Sequence, residues 1–437
     1  MRANTYFFFF ILFFVLPGSS ASIAQQPGTA NPQIPKAVLL PANDPGDVFF
    51  EGIFKNYPGL FDSVLKYRAD LNLQIIYTEI NRGANGIPEL KNYYFNRKNA
   101  RYFYPASSIK LPVALLALQK LNELKAKGIN RNTTMLTEAA YSGETPVYND
   151  PNTRGGKPSI AQYIKKMFLV SDNDAFNRLY EFVGQEYMND QLQQKGYKDA
   201  QVLNRLGIFL TDDENRHTNP INFYDSTNRL VFSQPMAFNT KQYARRNDTI
   251  GNAYYSNELL INKPMNFSNK NRISLDDLHT MLVSLIFPEK VTASQRFNIT
   301  DDDRRFVLKY MSEYPGESVY PSYDTAAYHD AYSKYILFGA TRGVKPKNIR
   351  IFNKSGEGYG QLTDIAYVVD LDKKIEFMVS ATIYCNKDGI LNDDEYDYDN
   401  TGYPFLKNLG KALYDRELKR KRNIIPDLSA IIFTYDK

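Results

Sequence analysis

Ser107-Ser-Ile-Lys110 is the first place along this chain where residue types and spacing can do chemistry. A serine hydroxyl is a weak nucleophile until a neighbouring base takes its proton, and a lysine three residues further along a helix lies on the same face, within reach of it. The run that follows, with Leu111, Val113, Leu115, Leu116 and Leu118, is apolar enough to be buried. Among such walls the charged form of Lys110 is disfavoured, which suits it to accept the Ser107 proton. A helix start also offers free backbone N–H groups and the positive end of the dipole to developing negative charge. By itself Ser-x-x-Lys says little, since composition gives about one or two copies in a chain of this length. A second copy, Ser63 to Lys66, has no companion and reads as surface.

Two further tripeptides follow in order: Ser171-Asp172-Asn173, after the apolar end of a helix, and Lys354-Ser355-Gly356, at the end of a strand. Each has a chance expectation of roughly one in ten. Singly, Ser171 and Asn173 read equally well as caps of the next helix, and Lys354 as a solvated strand end. Together, in these settings, they point to one site.

The elements that must position these residues are legible from periodicity. An amphipathic segment, Leu60 to Tyr67, precedes an apolar strand, Leu73 to Ile80, and a second strand around Tyr93 to Phe95. A helix is expected from Ser107 to Lys127, stopped by Gly128. Ser159 and Gln162 form a capping-box pair before Ile160, Ile164 and Phe168, and Asp174 to Val183 reads as another helix, closed by Gly184. Ser274 is a fair N-cap for a helix running to Phe287. Ile349 to Asn353, Ile365 to Leu371 and Ile375 to Tyr384 read as strands, with Asp372 and Lys373 turning between the last two, and a final helix spans Pro404 to about Arg422. Strands at both ends with helices between them predict an antiparallel sheet closed by the two chain ends, with an all-helical layer inserted. Residues 221–271, rich in Asn, Tyr and Phe, read as an extended insertion.

With these motifs in these settings the chain resembles the class A β-lactamase and penicillin-binding family, whose signature is Ser-x-x-Lys, Ser-Asp-Asn and Lys-Thr-Gly, here Lys-Ser-Gly. The resemblance runs from about Gly59 to Arg416 and takes in Tyr104 to Pro112, the stretch Asp213 to Pro220, similar to the end of that family's Ω loop, and the terminal helix. It implies an α/β (α+β) fold of β-lactamase/transpeptidase type: a five-stranded antiparallel sheet from both chain ends plus an inserted all-helical subdomain. It implies no cofactor, and a small β-lactam or a peptidoglycan peptide as substrate. Carried over by motif, Ser107 attacks a carbonyl, Lys110 helps remove its proton and Ser171 relays a proton to the leaving nitrogen. Asn173 holds Lys110 and the substrate amide, while Lys354, with Ser355, faces a substrate carboxylate. The backbone N–H groups of Ser107 and Glu357 form an oxyanion hole, and Gly356 leaves the strand edge open.

The chain also departs from that family. The Ω-loop glutamate that activates the deacylating water aligns near Leu203, within Gln201 to Gly207, where no carboxylate stands. Asp199 lies on one side; Asp212, Asp213 and Glu214 lie on the other and are expected to pair with Arg205 or Arg216. The family's basic residue on the strand after Lys-Ser-Gly is replaced by Gln361, Leu362 and Thr363, leaving Arg342 or Arg350 to substitute. Acylation chemistry is complete and rapid turnover of β-lactams is not. Three readings follow: a β-lactamase-like hydrolase acting on a β-lactam or another amide or ester, a D-Ala-D-Ala peptidase or penicillin-binding protein, and a binding protein that keeps the pocket without turnover.

The rest of the composition narrows the class. Arg2 before the apolar run Tyr6 to Leu16, with small residues to Ala24, reads as an export signal over residues 1–24, giving a periplasmic or secreted protein; residues 25–47 read as a flexible leader and 48–437 as the hydrolase domain. The one cysteine, Cys385, rules out an intramolecular disulfide and reads as a small buried hydrophobe. His217, His279 and His329 have no metal-ligand spacing, which argues against a zinc hydrolase. The net charge of +5 is spread along the chain and gives no nucleic-acid stripe. The basic run Lys419 to Arg422 is a helix end whose cations suit the dipole.

Overall fold

The structure, a computed structural model, describes residues 45–97, 102–141 and 145–437. The expected export signal, and residues 25–44 of the expected leader, lie outside the described residues. The leader's last three residues belong instead to the first helix, α1 (Pro45–Phe54).

The two chain ends build one five-stranded sheet from β1 (Gln74–Arg82), β2 (Pro88–Phe95), β3 (Ile349–Gly358), β4 (Gln361–Asp370) and β5 (Ile375–Tyr384). Its order is β3-β4-β5-β1-β2, antiparallel throughout, and β1 joins the C-terminal hairpins through pairs such as Ile75 with Ala381. Both faces are covered, so β4 and β5 read as almost continuous apolar runs rather than alternating ones. Successive side chains still part by period two: Ile76, Ile80, Ile365 and Tyr367 face one core, and Ile75, Tyr77, Ala366 and Val368 face the other.

The second core is closed by α1 and the terminal helix Tyr403–Lys419 through Phe50, Phe54, Phe405, Leu409 and Leu413. The first is closed by the helical layer: α2 (Lys110–Glu123), α3 (Ile160–Leu169), α4 (Asn173–Val183), α5 (Gln185–Gln194), α6 (Leu275–Ile286) and α7 (Asp301–Ser312), the terminal helix being α8. Helix α2 is apolar around its whole circumference and is accordingly buried from Lys110 through Gln119. It stops where Gly128 takes up a left-handed φ of 74° after a 3-10 turn.

Local signals placed most boundaries, with instructive differences. Helix α3 starts at Ser159, whose side chain accepts from Gln162 N, but the Gln162 side chain donates to Asn152 O, so only half of the capping box forms. Helix α4 is capped by Asp172, not by Ser171 or Asn173, which frees both for other partners. The stretch 221–271 is not merely extended. Ile221–Tyr224 pairs with Thr134–Thr137 and Leu230–Gln234, and the hairpin Ala253–Ser256 with Leu259–Ile261 pairs with Ile390–Leu391.

Candidate active site

Ser107 does not open an α-helix directly. It lies in a 3-10 turn, Ala106–Ile109, that leads into α2. In a 3-10 turn residues i and i+3 eclipse, so Lys110 stands over Ser107, with Nζ 2.8 Å from Oγ. Ala106 is held at φ 45° and Ser171 at φ 59°, left-handed conformations that cost a residue with a Cβ about 1–3 kcal/mol each. The second turns the Ser171 carbonyl onto Lys110.

Lys110 is fully buried and its Nζ has four neighbours: Ser107 Oγ at 2.8 Å, Ser171 O at 2.6 Å, Asn173 Oδ1 at 2.6 Å and Ser171 Oγ at 3.3 Å. Burial, with Lys354 adding its like charge, pushes this amine well below the usual lysine range. A neutral amine suits the geometry. Two N–H bonds go to two oxygens that can only accept, the Asn173 amide being oriented by this contact, and the lone pair is left for the Ser107 hydroxyl proton.

Lys354 lies across the cleft on β3, buried, with Nζ 2.9 Å from Ser171 Oγ and 2.8 Å from Ser355 O. Burial lowers it to about 7, partly opposed by the Asp364 carboxylate and assisted by Lys334. Ser171 Oγ therefore bridges the two amines. Gly356 brings β3 against the Ser107 turn: a Cβ there would stand 2.4 Å from Pro105 O and 3.1 Å from Ser107 N, so no larger residue fits. Ser355 is buried and donates its hydroxyl to Ser333 O, a tighter engagement than an open substrate-facing hydroxyl. Glu357 follows on the strand edge with its side chain exposed.

A buried polar clip, unforeseen from the sequence, holds β3. Asn353 Nδ2 donates to Ser333 O and Asp364 Oδ1, and Asp364 Oδ2 accepts from Tyr335 N and Ile336 N. Lys334 Nζ, also lowered to about 7 by burial, donates to Met311 O, Ile351 O and Asn353 Oδ1. These polar groups sit in strands or between elements with no local motif to announce them.

The structure shows how the stretch Gln201 to Gly207 is held. Leu203 is tied by its backbone: its N–H donates to Asn271 Oδ1 and its carbonyl accepts from Tyr180 and Gln185. The loop residue that meets the site is Gly207, where a Cβ would stand 2.6 Å from Asn173 Nδ2. Ion pairing is also redistributed. Arg205 pairs with buried Glu181, and Arg216 donates to the carbonyls of Asn239 and Lys241. Asp212 accepts from Asn269, Asp213 from Tyr141, and Glu214 forms a capping box with Thr211. Among the described residues no carboxylate hydrogen-bonds to Ser107 or Lys110. Nor do the expected substitute cations serve the strand edge: Arg350 is buried in a bidentate pair with Glu317, at 2.7 and 2.8 Å, and Arg342 donates to Ala326 O.

The insertion packs behind residues that flank the site. Phe267 is fully buried against Tyr104 and Tyr359, with ring centroids 5.6 and 5.1 Å away, and Asn271 cradles the Ω loop. The second Ser-x-x-Lys, Ser63 to Lys66, lies exposed on a short helix. Cys385 is buried. Among the described residues no group of three or more His, Cys, Asp or Glu side chains could hold a metal ion, and no helix is long and apolar enough to cross a membrane.

Comparison with known proteins identifies the family. The sequence profile of the "Beta-lactamase enzyme family" matches residues 63–416, well over half of the chain. Similar solved structures include a β-lactamase from Xanthomonas campestris pv. campestris (13% identity, TM-score 0.46, covering 84% of this chain and 98% of that one). A class A β-lactamase from Clostridium kluyveri is 14% identical with TM-score 0.46, covering 85% and 99%. A point mutant of PBP-A, in its acyl-enzyme complex with penicillin G, is 14% identical with TM-score 0.44, covering 86% and 97%. No curated protein sequence matches the chain.

Proposed function

Because the chain belongs to the β-lactamase enzyme family, we propose that it is a serine hydrolase acylated at Ser107 by a β-lactam or a related amide or ester. The observation that carries this reading is the environment of Lys110, whose Nζ has two acceptor-only partners and the Ser107 hydroxyl within 2.8 Å.

In this mechanism Ser107 Oγ forms a bond to the substrate carbonyl carbon as its proton passes to Lys110 Nζ. The oxyanion is met by the backbone N–H groups of Ser107 and Glu357, where one donor is typically worth about a hundredfold or more in rate. Collapse breaks the bond to the leaving nitrogen, which takes the Ser171 hydroxyl proton, and Lys354 or Lys110 returns a proton to Ser171. Asn173 holds Lys110 and the substrate amide, and Ser355 and Gly356 line the strand edge. The product is an ester on Ser107 that only an activated water can release.

The second reading, a penicillin-binding peptidase acting on D-Ala-D-Ala ends, is favoured by Gly207, which occupies the loop position facing Asn173 and carries no carboxylate. The apolar segment after Arg2 supports export to the periplasm or medium. Incubation with a fluorescent penicillin tests the proposal: wild type should be labelled and Ser107→Ala should not. Labelling that persists in Ser107→Ala removes Ser107 as nucleophile, and no labelling of either leaves the third reading, a binding protein without turnover.

A further inference from the structure

A groove of about 720 Å³ runs along the first half of α3, from Ser159 to Lys165, whereas Ser171 follows the far end of that helix. Ten residues at 1.5 Å each put the groove's Ser159 end about 15 Å from the end that leads to Ser171.

Three cations line the groove: Arg154, Lys157 and Lys165. Among the described residues none of them forms an ion pair. Lys165 Nζ donates to Tyr320 O at 3.0 Å and lies 5.0 Å from the centre of the Tyr310 ring. Lys157 Nζ donates to Tyr148 O at 3.3 Å and Asn149 Oδ1 at 3.1 Å, and Arg154 lies 5.8 Å from the centre of the Tyr320 ring. The two carboxylates that line the same groove are committed elsewhere. Asp225 accepts from Thr227 N and Oγ1 and pairs with Arg229 at 3.0 Å, while Asp436 pairs with Lys309 at 3.2 Å and accepts from Val319 N. The groove is left with three uncompensated positive charges.

Beside them stand neutral groups. Tyr320 is 40% exposed, and the side chains of Asn132 and Asn228 are exposed at the groove. Charge alone suits any anion; the ring and the amides narrow the class. A sugar offers a C–H face to an aromatic ring and hydroxyl or acetamido groups to amides, and a carboxylate on it completes a charge-assisted hydrogen bond with Arg or Lys. A nucleic-acid strand carries a phosphate at every residue and calls for a longer basic track than three side chains.

We propose that this groove is a binding site for a glycan chain bearing carboxylate groups, with Tyr320 under a sugar ring and Arg154, Lys157 and Lys165 on the carboxylates. No residue of the Ser107 site takes part, so the groove stands or falls independently of the hydrolase reading.

The test titrates the full-length protein calorimetrically at low salt with three probes: hyaluronan hexasaccharide, which alternates acetamido sugars with carboxylate sugars, the neutral N-acetylglucosamine hexamer, and hexaglutamate, which has charge without sugar rings. The hyaluronan probe should bind about tenfold or more tighter than either control. Reversing charge in the double variant Arg154→Glu, Lys157→Glu should weaken it about tenfold or more, since lost pairs are replaced by repulsion. Tyr320→Ala should weaken it several-fold, with circular dichroism confirming that both variants are folded. Equal binding of hexaglutamate would reveal a patch that reads charge alone, and equal binding of the neutral hexamer would show the cations to be idle; either overturns the proposal. So does the absence of hyaluronan binding to the folded wild type, or an affinity unchanged in either variant.

Discussion

Gly207 of the Ω loop is packed so tightly on Asn173 that a Cβ on the glycine would come within 2.6 Å of the amide nitrogen, and its φ of 68° is one that glycine alone adopts freely. Since Asn173 Oδ1 holds Lys110 Nζ at 2.6 Å, the loop braces Lys110 indirectly. Gly207→Ala should therefore destabilise the fold by about 1–3 kcal/mol through strain and overpacking. It should also slow Ser107 acylation. Urea midpoints and penicillin-labelling rates check both; a variant with wild-type stability and rate would show the loop to be slack here.

The pH dependence of acylation follows from the two amines. Lys110 must be neutral to take a proton, so the rate should rise with pH as this amine, held well below the usual lysine range by burial, loses its proton. Lys354 acts as a cation and titrates at about 7, so the rate should fall as pH rises through that value. The profile should be bell-shaped. Lys354→Arg keeps its charge and should remove the alkaline limb; an unchanged limb assigns it to another group.

The acyl-enzyme should persist. No carboxylate among the described residues hydrogen-bonds to Ser107 or Lys110, and general-base help to water is worth about 10² to 10⁴ in rate. Mixing with penicillin should give an adduct of the drug's full mass that decays over minutes or longer. Fast turnover with no adduct would reveal a base elsewhere, and trapping in an Asp212, Asp213 or Glu214 variant would identify it.

Asn271, fully buried, accepts from Leu203 N at 2.7 Å and Asn204 N at 2.9 Å and donates to Asn204 O at 3.0 Å. Asn271→Ala strands those backbone groups and should cost on the order of 2–4 kcal/mol. Proteolysis should then cut within the Ω loop before the rest of the fold, and a loop as protected as wild type would count against the cradle.

Stability should rise on the alkaline side of neutrality. Lys334 and Lys354 titrate at about 7 in the folded protein against 10.5 for an ordinary lysine. Between those values the unfolded chain binds more protons than the folded one, so unfolding free energy increases with pH. Near 10 the trend reverses, because buried tyrosines such as Tyr335 and Tyr367 are held well above 10 and ionise only on unfolding. Urea midpoints across this range check the sign, and replacing Lys334 with Met should flatten the rise.

The order of Ser107, Lys110, Ser171, Asn173 and Lys354, the strands of the sheet, the buried helix α2 and its stop at Gly128 were all legible in the amino-acid sequence. Each depends on a local rule of periodicity, capping or turn geometry that a few neighbouring residues satisfy. The family resemblance was read from the same motifs, and the family match over residues 63–416 agrees with it. Tertiary structure alone decided what these residues meet. Asn173 reaches Lys110 across 63 positions, and Lys354 reaches Ser171 across 183. It also decided that Gly207 packs on Asn173, that Arg350 is consumed by Glu317, and that Glu357 forms no ion pair among the described residues. The physical reason is that burial and charge pairing depend on which distant segments pack together. A lysine in a strand reads alike in sequence whether water or a second lysine lies beyond it, and only the closed cleft sets its proton affinity.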